Sequence, residues 1–321
     1  MRVALNIEPN HLIEHLHSLA SPSAKVSADS RQIKSGDIFF AYPVGHGNAL
    51  RDGRQYIEAA LKNGAAVVVL DPTDFESDYL DHPQCFAVEN LAEKVGKLCA
   101  DWYGKPSKQL HMIGVTGTNG KTSITQWLAK ALDQPSHRTA VLGTLGTGFP
   151  GALEKTGYTT PDAPKLQTQL KELLDAGAKQ VAMEVSSHAL HQERVAGTTF
   201  QCAVFTNLTQ DHLDYHGTMA NYAEAKAKLF KQPGLVHAVV NLDDSFGREL
   251  TMNLLAREGL KVWAYALNPS AFKGFEKFGD RLQRIYTKDA ALSGSGYDAT
   301  FVCKSLGNVQ LHIPLLGEFN V

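Results

Sequence analysis

From residue 111 to residue 266 the chain alternates short apolar runs with stretches of helical spacing. The runs at 111–115, 139–143, 180–185, 200–206, 238–242 and 262–266 are short and nearly continuous in apolar residues, which predicts buried strands. Between them, residues 121–132, 219–230 and 245–257 read as helices, as does a segment with Leu166, Leu170, Leu173 and Leu174 on one face. Upstream, Leu12, Ile13, Leu16 and Leu19 predict a helix over 9–20. Strands follow at 38–42, 65–70 and 85–88, with a helix over 55–62. Leu91, Val95, Leu98 and Trp102 share one side of a helix over 91–103, which Gly104, Lys105 and Pro106 stop. From residue 283 the pattern turns to β, with strands at 284–287, 299–304 and 309–314 joined by turns at Gly294, Gly296 and Gly307. Gly146, Gly148, Gly151 and Gly157 mark a long loop that is either functional or disordered.

A chain of 321 residues exceeds what one core usually serves, so at least two domains are expected. The formal charge of −2 gives no whole-chain attraction to nucleic acid or anionic lipid. Cys85, Cys99, Cys202 and Cys303 are far apart and form no Cys-x-x-Cys pair, which suggests neither a zinc knuckle nor a disulfide framework. Polar residues interrupt the first twenty positions, and no later run has membrane-spanning length, so a cytoplasmic protein without membrane insertion is expected. His11, His15 and His17 read as a solvated helix face, for no acidic or thiol partner lies near them in sequence.

The chemistry concentrates at residues 113–123, Ile-Gly-Val-Thr-Gly-Thr-Asn-Gly-Lys-Thr-Ser. A strand runs into a glycine-bearing loop and then into a helix. Glycines let the backbone approach an anion, and the amides of the helix N-terminus favour negative charge. Gly117, Thr118, Asn119, Gly120, Lys121, Thr122 and Ser123 are therefore candidates for a triphosphate site, with Lys121 on the outer phosphates and Thr122 on magnesium. Val115 stands where the usual pattern has its first glycine, so the match is a variant; an ordinary glycine-rich turn is the bland alternative. The fold this predicts is α/β: a small N-terminal α/β domain, then a P-loop NTPase-like, mostly parallel sheet domain with a β-rich end.

Other candidates sit at strand ends. The run 180–185 meets Glu184 at its C-terminal end, where an open α/β sheet presents side chains to ligand, and a magnesium ion would account for a charge that is costly to bury alone. Ser187 and His188 invite a nucleophile–base reading; it is rejected because neighbours on a strand point to opposite faces and no nucleophile elbow is present. The segment 207–217 holds two aspartates and two histidines within six residues, for which magnesium with phosphate is favoured over zinc because no thiol joins them. Lys226 and Lys228 lie in a predicted helix, and spacing does not choose between them. Asp29-Ser30-Arg31, His46 and Thr160-Pro161-Asp162 read locally as turn and capping chemistry.

Thr116-Gly117-Thr118-Asn119-Gly120-Lys121-Thr122 is the form in which the Mur ligases and the related folylpolyglutamate synthases write this loop, and the chain resembles the Mur ligases more widely. Asp29-Ser30-Arg31, residues 36–41 and 52–57, Glu184-Val185-Ser186-Ser187-His188 and Asp211-His212-Leu213-Asp214-Tyr215-His216-Gly217 resemble the members that add the third amino acid of the peptidoglycan stem. The resemblance implies a uridine-diphosphate-binding domain over 1–88, with Ser30 near the uridine and His46 near the diphosphate, although extra residues follow His46. It implies a central ATP-binding domain over 89–321, in which Thr159, Thr160, Ser186, Gln192 and Arg194 meet a muramoyl-peptide. His212 would associate with magnesium, and Lys226 would carry a carbon dioxide-derived carbamate, so that Thr122, Glu184, His212 and Lys226 serve the metal and Lys121, Glu184, His212 and Lys226 serve catalysis.

The implied reaction is ATP- and Mg2+-dependent amide formation, through an acyl phosphate, between a UDP-muramoyl-dipeptide and diaminopimelate or lysine, by a monomer in peptidoglycan synthesis. In the family a Gly-x-Phe-Asn segment, here at 317–320, leads into a separate C-terminal domain. The chain is therefore expected to lack that domain, and to bind its substrate while turning over poorly. A folylpolyglutamate synthase-like ligase and a non-catalytic binding fragment are the alternatives.

Overall fold

The computed structural model describes residues 9–45 and 50–315, with side chains from Leu12 onward. They form two compact units. One comprises the chain up to His111 together with Ala129–Val181 and His188–Thr199; the other comprises Met112–Leu128, Ala182–Ser187 and the chain from Phe200 onward.

The first unit contains a four-stranded parallel sheet in the order Val26–Ser27, Ile38–Ala41, Val67–Leu70, Cys85–Ala87. Its two central strands are apolar at every position because both faces are covered. Side chains alternate along a strand, so Ile38, Phe40, Val67 and Val69 pack with Leu12, Leu16, Leu91, Val95, Leu98 and Trp102. Phe39, Ala41, Val68 and Leu70 pack on the opposite face with Ile57 and Ala60. The predicted helices are present as Pro9–Leu19, Ile57–Lys62 and Leu91–Trp102; the last is followed by a one-turn helix, Pro106–Gln109, that the stop signal at Pro106 concealed. Proline stops one helix there and opens the next, since its missing N–H is harmless in a first turn.

The same unit corrects the reading of the glycine-rich stretch. Thr139–Gly143, Gly146–Phe149 and Ala152–Glu154 form an antiparallel meander. Gly146 and Gly148 pack so closely under the third strand that a Cβ on either would lie 2.5 Å from a carbonyl oxygen, of Glu154 and Ala152 respectively. Here glycine spacing marks close strand approach instead of disorder. Helix Ala163–Asp175 follows, capped by the Asp162 side chain accepting from the Lys165 N–H, as the capping reading expected.

In the second unit, His111–Thr116, Cys202–Phe205, His237–Asn241, Lys261–Ala266 and Leu282–Ser293 lie side by side in parallel. Gly296–Cys303 and Gly307–Ile313 then pair antiparallel, forming the β-rich end. On the other side of the first strand, the end of Gln180–Glu184 leads to Val185, whose N–H donates to the Val115 carbonyl at 2.9 Å. Residues Ser187–His191 are helical, so the strand-face reason for separating Ser187 from His188 does not hold. Among the described residues no helix is long and apolar enough to cross a membrane, and all four cysteines are thiols.

Candidate functional site

The parallel strands of the second unit deliver several loops near the one that follows Thr116. The chain leaves the strand at Gly117, with φ +154, turns at Gly120, with φ +84, and enters helix Lys121–Leu132. A Cβ at Gly117 would lie 1.8 Å from Thr206 Oγ1, so only glycine fits there. The next strand end braces the loop. Thr206 Oγ1 donates to the Asn119 carbonyl at 2.6 Å, the Thr118 N–H donates to the Asn207 carbonyl at 2.8 Å, and the Asn119 N–H donates to Asn207 Oδ1 at 2.9 Å. Asn241 Nδ2 ties the following strand to the Thr206 carbonyl at 2.9 Å. Neither Thr206 nor Asn207 was singled out from sequence; the polar Thr-Asn pair closing an apolar strand was the available signal.

Two lysines converge on this loop. Lys121 Nζ donates to the carbonyls of Gly117 and Thr118 at 2.8 and 2.7 Å, and Lys226 Nζ donates to the same Gly117 carbonyl at 2.8 Å. Lys226 is 1% exposed, on helix Met219–Ala227, and its ammonium lies 4.2 Å from the centre of the Tyr222 ring. Burial pushes its pKa down to about 7, aided by the Lys121 charge and opposed by Asp211. Burial also lowers the pKa of Lys121, against the pull of Glu184 and Asp211. Sequence spacing left Lys226 and Lys228 equivalent; folding buries Lys226 and brings it to the loop.

Thr122 Oγ1 donates to Glu184 Oε2 at 2.8 Å, and Glu184 is 1% exposed at the end of its strand. His212 adopts the left-handed conformation, φ +51, at the start of helix Leu213–His216, with Nε2 3.5 Å from Asp211 Oδ2 and its ring 6.0 Å from that of Tyr222. The Tyr222 hydroxyl is 3.2 Å from Thr118 Oγ1, which links helix Met219–Ala227 to the loop. His216 is buried, with Nε2 3.0 Å from Ser187 Oγ. Among the described residues no three His, Cys, Asp or Glu side chains form a metal-holding group; the Thr122 hydroxyl and the Glu184 carboxylate are paired oxygen donors beside the loop.

The remaining candidates lie elsewhere. In the first unit, Ser30 is buried in a turn whose start is capped by Asp29, and its carbonyl accepts from Asn63 Nδ2 at 2.9 Å. Asp29 also holds Arg31 through two 2.8 Å contacts, which lowers its carboxyl pKa. Thr159 Oγ1 is 2.9 Å from Thr144 Oγ1. Arg194 Nε and Nη2 donate to Gln192 Oε1 at 2.8 and 2.6 Å, and Nη1 donates to the Thr160 carbonyl at 3.1 Å. Ser186 is half-buried in the second unit, one residue before the short helix; Ser123 is exposed on the phosphate-loop helix. His46 and residues 317–320 lie outside the described residues.

The chain is similar to known proteins in sequence and in fold. The Mur ligase middle domain matches residues 115–321. The UDP-N-acetylmuramoyl-L-alanyl-D-glutamate–2,6-diaminopimelate ligase of Ralstonia nicotianae is 43% identical over 99% of this chain and 60% of its own length. A solved structure of a ligase of that name, 33% identical, superimposes with a TM-score of 0.74 over 92% of this chain and 56% of the other. The MurF ligase of Thermotoga maritima in complex with ADP, 22% identical, gives 0.57 over 93% and 60%, a likeness of fold. The chain thus spans about three-fifths of the length of the curated relative it matches.

Proposed function

The chain belongs to the Mur ligase family, and from that premise we propose an ATP-dependent ligase that extends UDP-N-acetylmuramoyl-L-alanyl-D-glutamate by a diamino acid in peptidoglycan synthesis. Diaminopimelate, named for the relatives, is the proposed amine. The observation that carries the reading is the Gly117 carbonyl accepting from both Lys121 and Lys226. The Lys121 ammonium is thereby held against the loop where a triphosphate would meet it, and its charge, with burial, favours the neutral amine at Lys226.

In the proposed reaction a substrate carboxylate attacks the terminal phosphorus of ATP, ADP leaves, and the incoming amine displaces phosphate from the acyl phosphate. Lys121 and the loop amides stabilise charge on the transferred group, and the braced loop holds it in place. The Thr122 hydroxyl and the Glu184 carboxylate are hard oxygen donors that suit Mg2+, and His212 is assigned to the same ion. Magnesium, when bound, would supply charge neutralisation between phosphate and carboxylate oxygens. Beside a bound magnesium a cation at Lys226 would be repelled, whereas a carbamate would supply an oxygen donor. Neutral Lys226 amine adds to carbon dioxide with loss of one proton, and a cation becomes an oxygen ligand. Its lowered pKa makes the neutral amine accessible near pH 7.

Ser30 and His46, within residues 1–88, are assigned to the uridine diphosphate end, and Thr159, Thr160, Ser186, Gln192 and Arg194 to the muramoyl-peptide. Residues 89–321 are assigned to the ATP-binding domain. The proposed enzyme is a monomer of the cytoplasm, where ATP is supplied. The 43% identity extends over 99% of the chain, including the Asp29-Ser30-Arg31 segment, which favours this substrate over a folate. Calorimetric titration with the nucleotide-sugar dipeptide and with folate tests the assignment: binding of the first alone is expected, and binding of folate alone would overturn it.

A further inference from the structure

The loop carrying Gln192 and Arg194 is held to its neighbour by main chain. Helix Leu91–Trp102 turns Gly96 toward it, and a Cβ at Gly96 would lie 2.2 Å from the Ala196 carbonyl oxygen and 2.9 Å from its carbon. The contact is reciprocal, for a Cβ at Gly197 would lie 2.4 Å from the Gly96 carbonyl oxygen. Glycine in mid-helix gives up helix propensity, so this position calls for a contact that no other residue permits.

The rest of the loop is equally determined. Glu193 and Gly197 are left-handed, with φ +54 and +81, and they enclose a tight turn in which the Ala196 N–H donates to the Glu193 carbonyl at 2.9 Å. A non-glycine residue in that region stores strain that the surroundings must hold. Val195 is 1% exposed. Beyond Gly197, Thr198 Oγ1 accepts from Gln167 Nε2 at 3.0 Å, and the Thr199 N–H donates to Ser107 Oγ at 3.0 Å. The Arg194 guanidinium, two residues from the Ala196 contact, is aimed by Gln192 Oε1 and the Thr160 carbonyl.

We propose that Gly96 is a positioning residue for Arg194: the bare helix surface at Gly96 sets how closely the loop seats, and so where the guanidinium meets the anionic part of the muramoyl-peptide. The inference rests on the assignment of Gln192 and Arg194 to that substrate. A methyl group at position 96 forces the Ala196 carbonyl outward, and the turn bounded by Glu193 and Gly197 carries the displacement to Arg194. ATP contacts, built by the loop 117–123, are untouched.

The test is calorimetric titration of the chain with UDP-N-acetylmuramoyl-L-alanyl-D-glutamate and, separately, with Mg-ATP, for Gly96→Ala, Arg194→Ala and the double variant. Gly96→Ala is expected to weaken nucleotide-sugar binding about 10-fold and to change ATP binding less than about twofold; in the Arg194→Ala background it should add less than about twofold. Unchanged nucleotide-sugar affinity in Gly96→Ala, or an undiminished effect without Arg194, overturns the proposal while leaving the assignment of Arg194 standing. Normal binding by Arg194→Ala overturns that assignment, and the proposal with it. Should Gly96→Ala fail to fold, Ser107→Ala loosens the other end of the same loop: a loss of about threefold for the nucleotide sugar alone is expected, and no loss overturns the proposal.

Discussion

In the phosphate loop the groups that would face a ligand are main-chain amides, braced by a neighbouring strand end and gathered around one carbonyl that accepts from two lysines. In the loop of Gln192 and Arg194 the anion-seeking group is one guanidinium, held by a glutamine side chain, a carbonyl and a glycine contact made by a separate helix. A site of contiguous main chain tolerates almost no change in its glycines. A site of one aimed side chain depends on whatever sets the aim.

That contrast predicts where damage is greatest. Gly117→Ala places a methyl 1.8 Å from Thr206 Oγ1 and breaks the brace to Asn119, so Mg-ATP affinity should fall at least about 100-fold, ~3 kcal/mol. Near-normal ATP binding by calorimetry would show that the loop is not the nucleotide site. Glu184→Gln keeps the shape and removes the charge beside Thr122; ATP affinity in Mg2+ should drop about 10-fold toward its value in EDTA, with the EDTA value itself unchanged. At the small end stands the ion pair of Lys25 and Glu172, 2.6 Å apart, with side chains 62% and 51% exposed. Lys25→Ala should cost under about 0.5 kcal/mol and move the melting temperature by less than about 2 °C, because a solvated pair contributes little. A large loss there would mean that surface charge, and not seating of main chain, holds the first unit together.

The same contrast explains what could be read from sequence. Residues 117–123 are legible because neighbours in sequence are neighbours in space, and Glu184 because an apolar strand ending in a carboxylate is a local pattern. The central strands of the small sheet are legible because burial on both faces leaves a continuous apolar run. Lys226 is not, because a lysine on a helix looks solvated until folding presses that face against the loop. Thr206, Asn207 and Gly96 escape for the same reason, since Asn119, which the first two brace, and Ala196, which Gly96 meets, are 87 or more residues away. The second and third strands of the meander, over 146–154, read as a loop because glycines that admit a neighbouring strand are indistinguishable, in sequence, from glycines that break one.

On the proposed reading, the Lys121 loop grips the triphosphate independently of the hold that Gln192 and Arg194 have on the nucleotide sugar. Lys121→Met, titrated calorimetrically with Mg-ATP and then with UDP-N-acetylmuramoyl-L-alanyl-D-glutamate, tests it most directly. A loss of about 30-fold or more is expected for ATP, ~2 kcal/mol, with nucleotide-sugar affinity within about twofold of the unaltered chain. ATP binding as tight as before, or equal losses for both ligands, would contradict it.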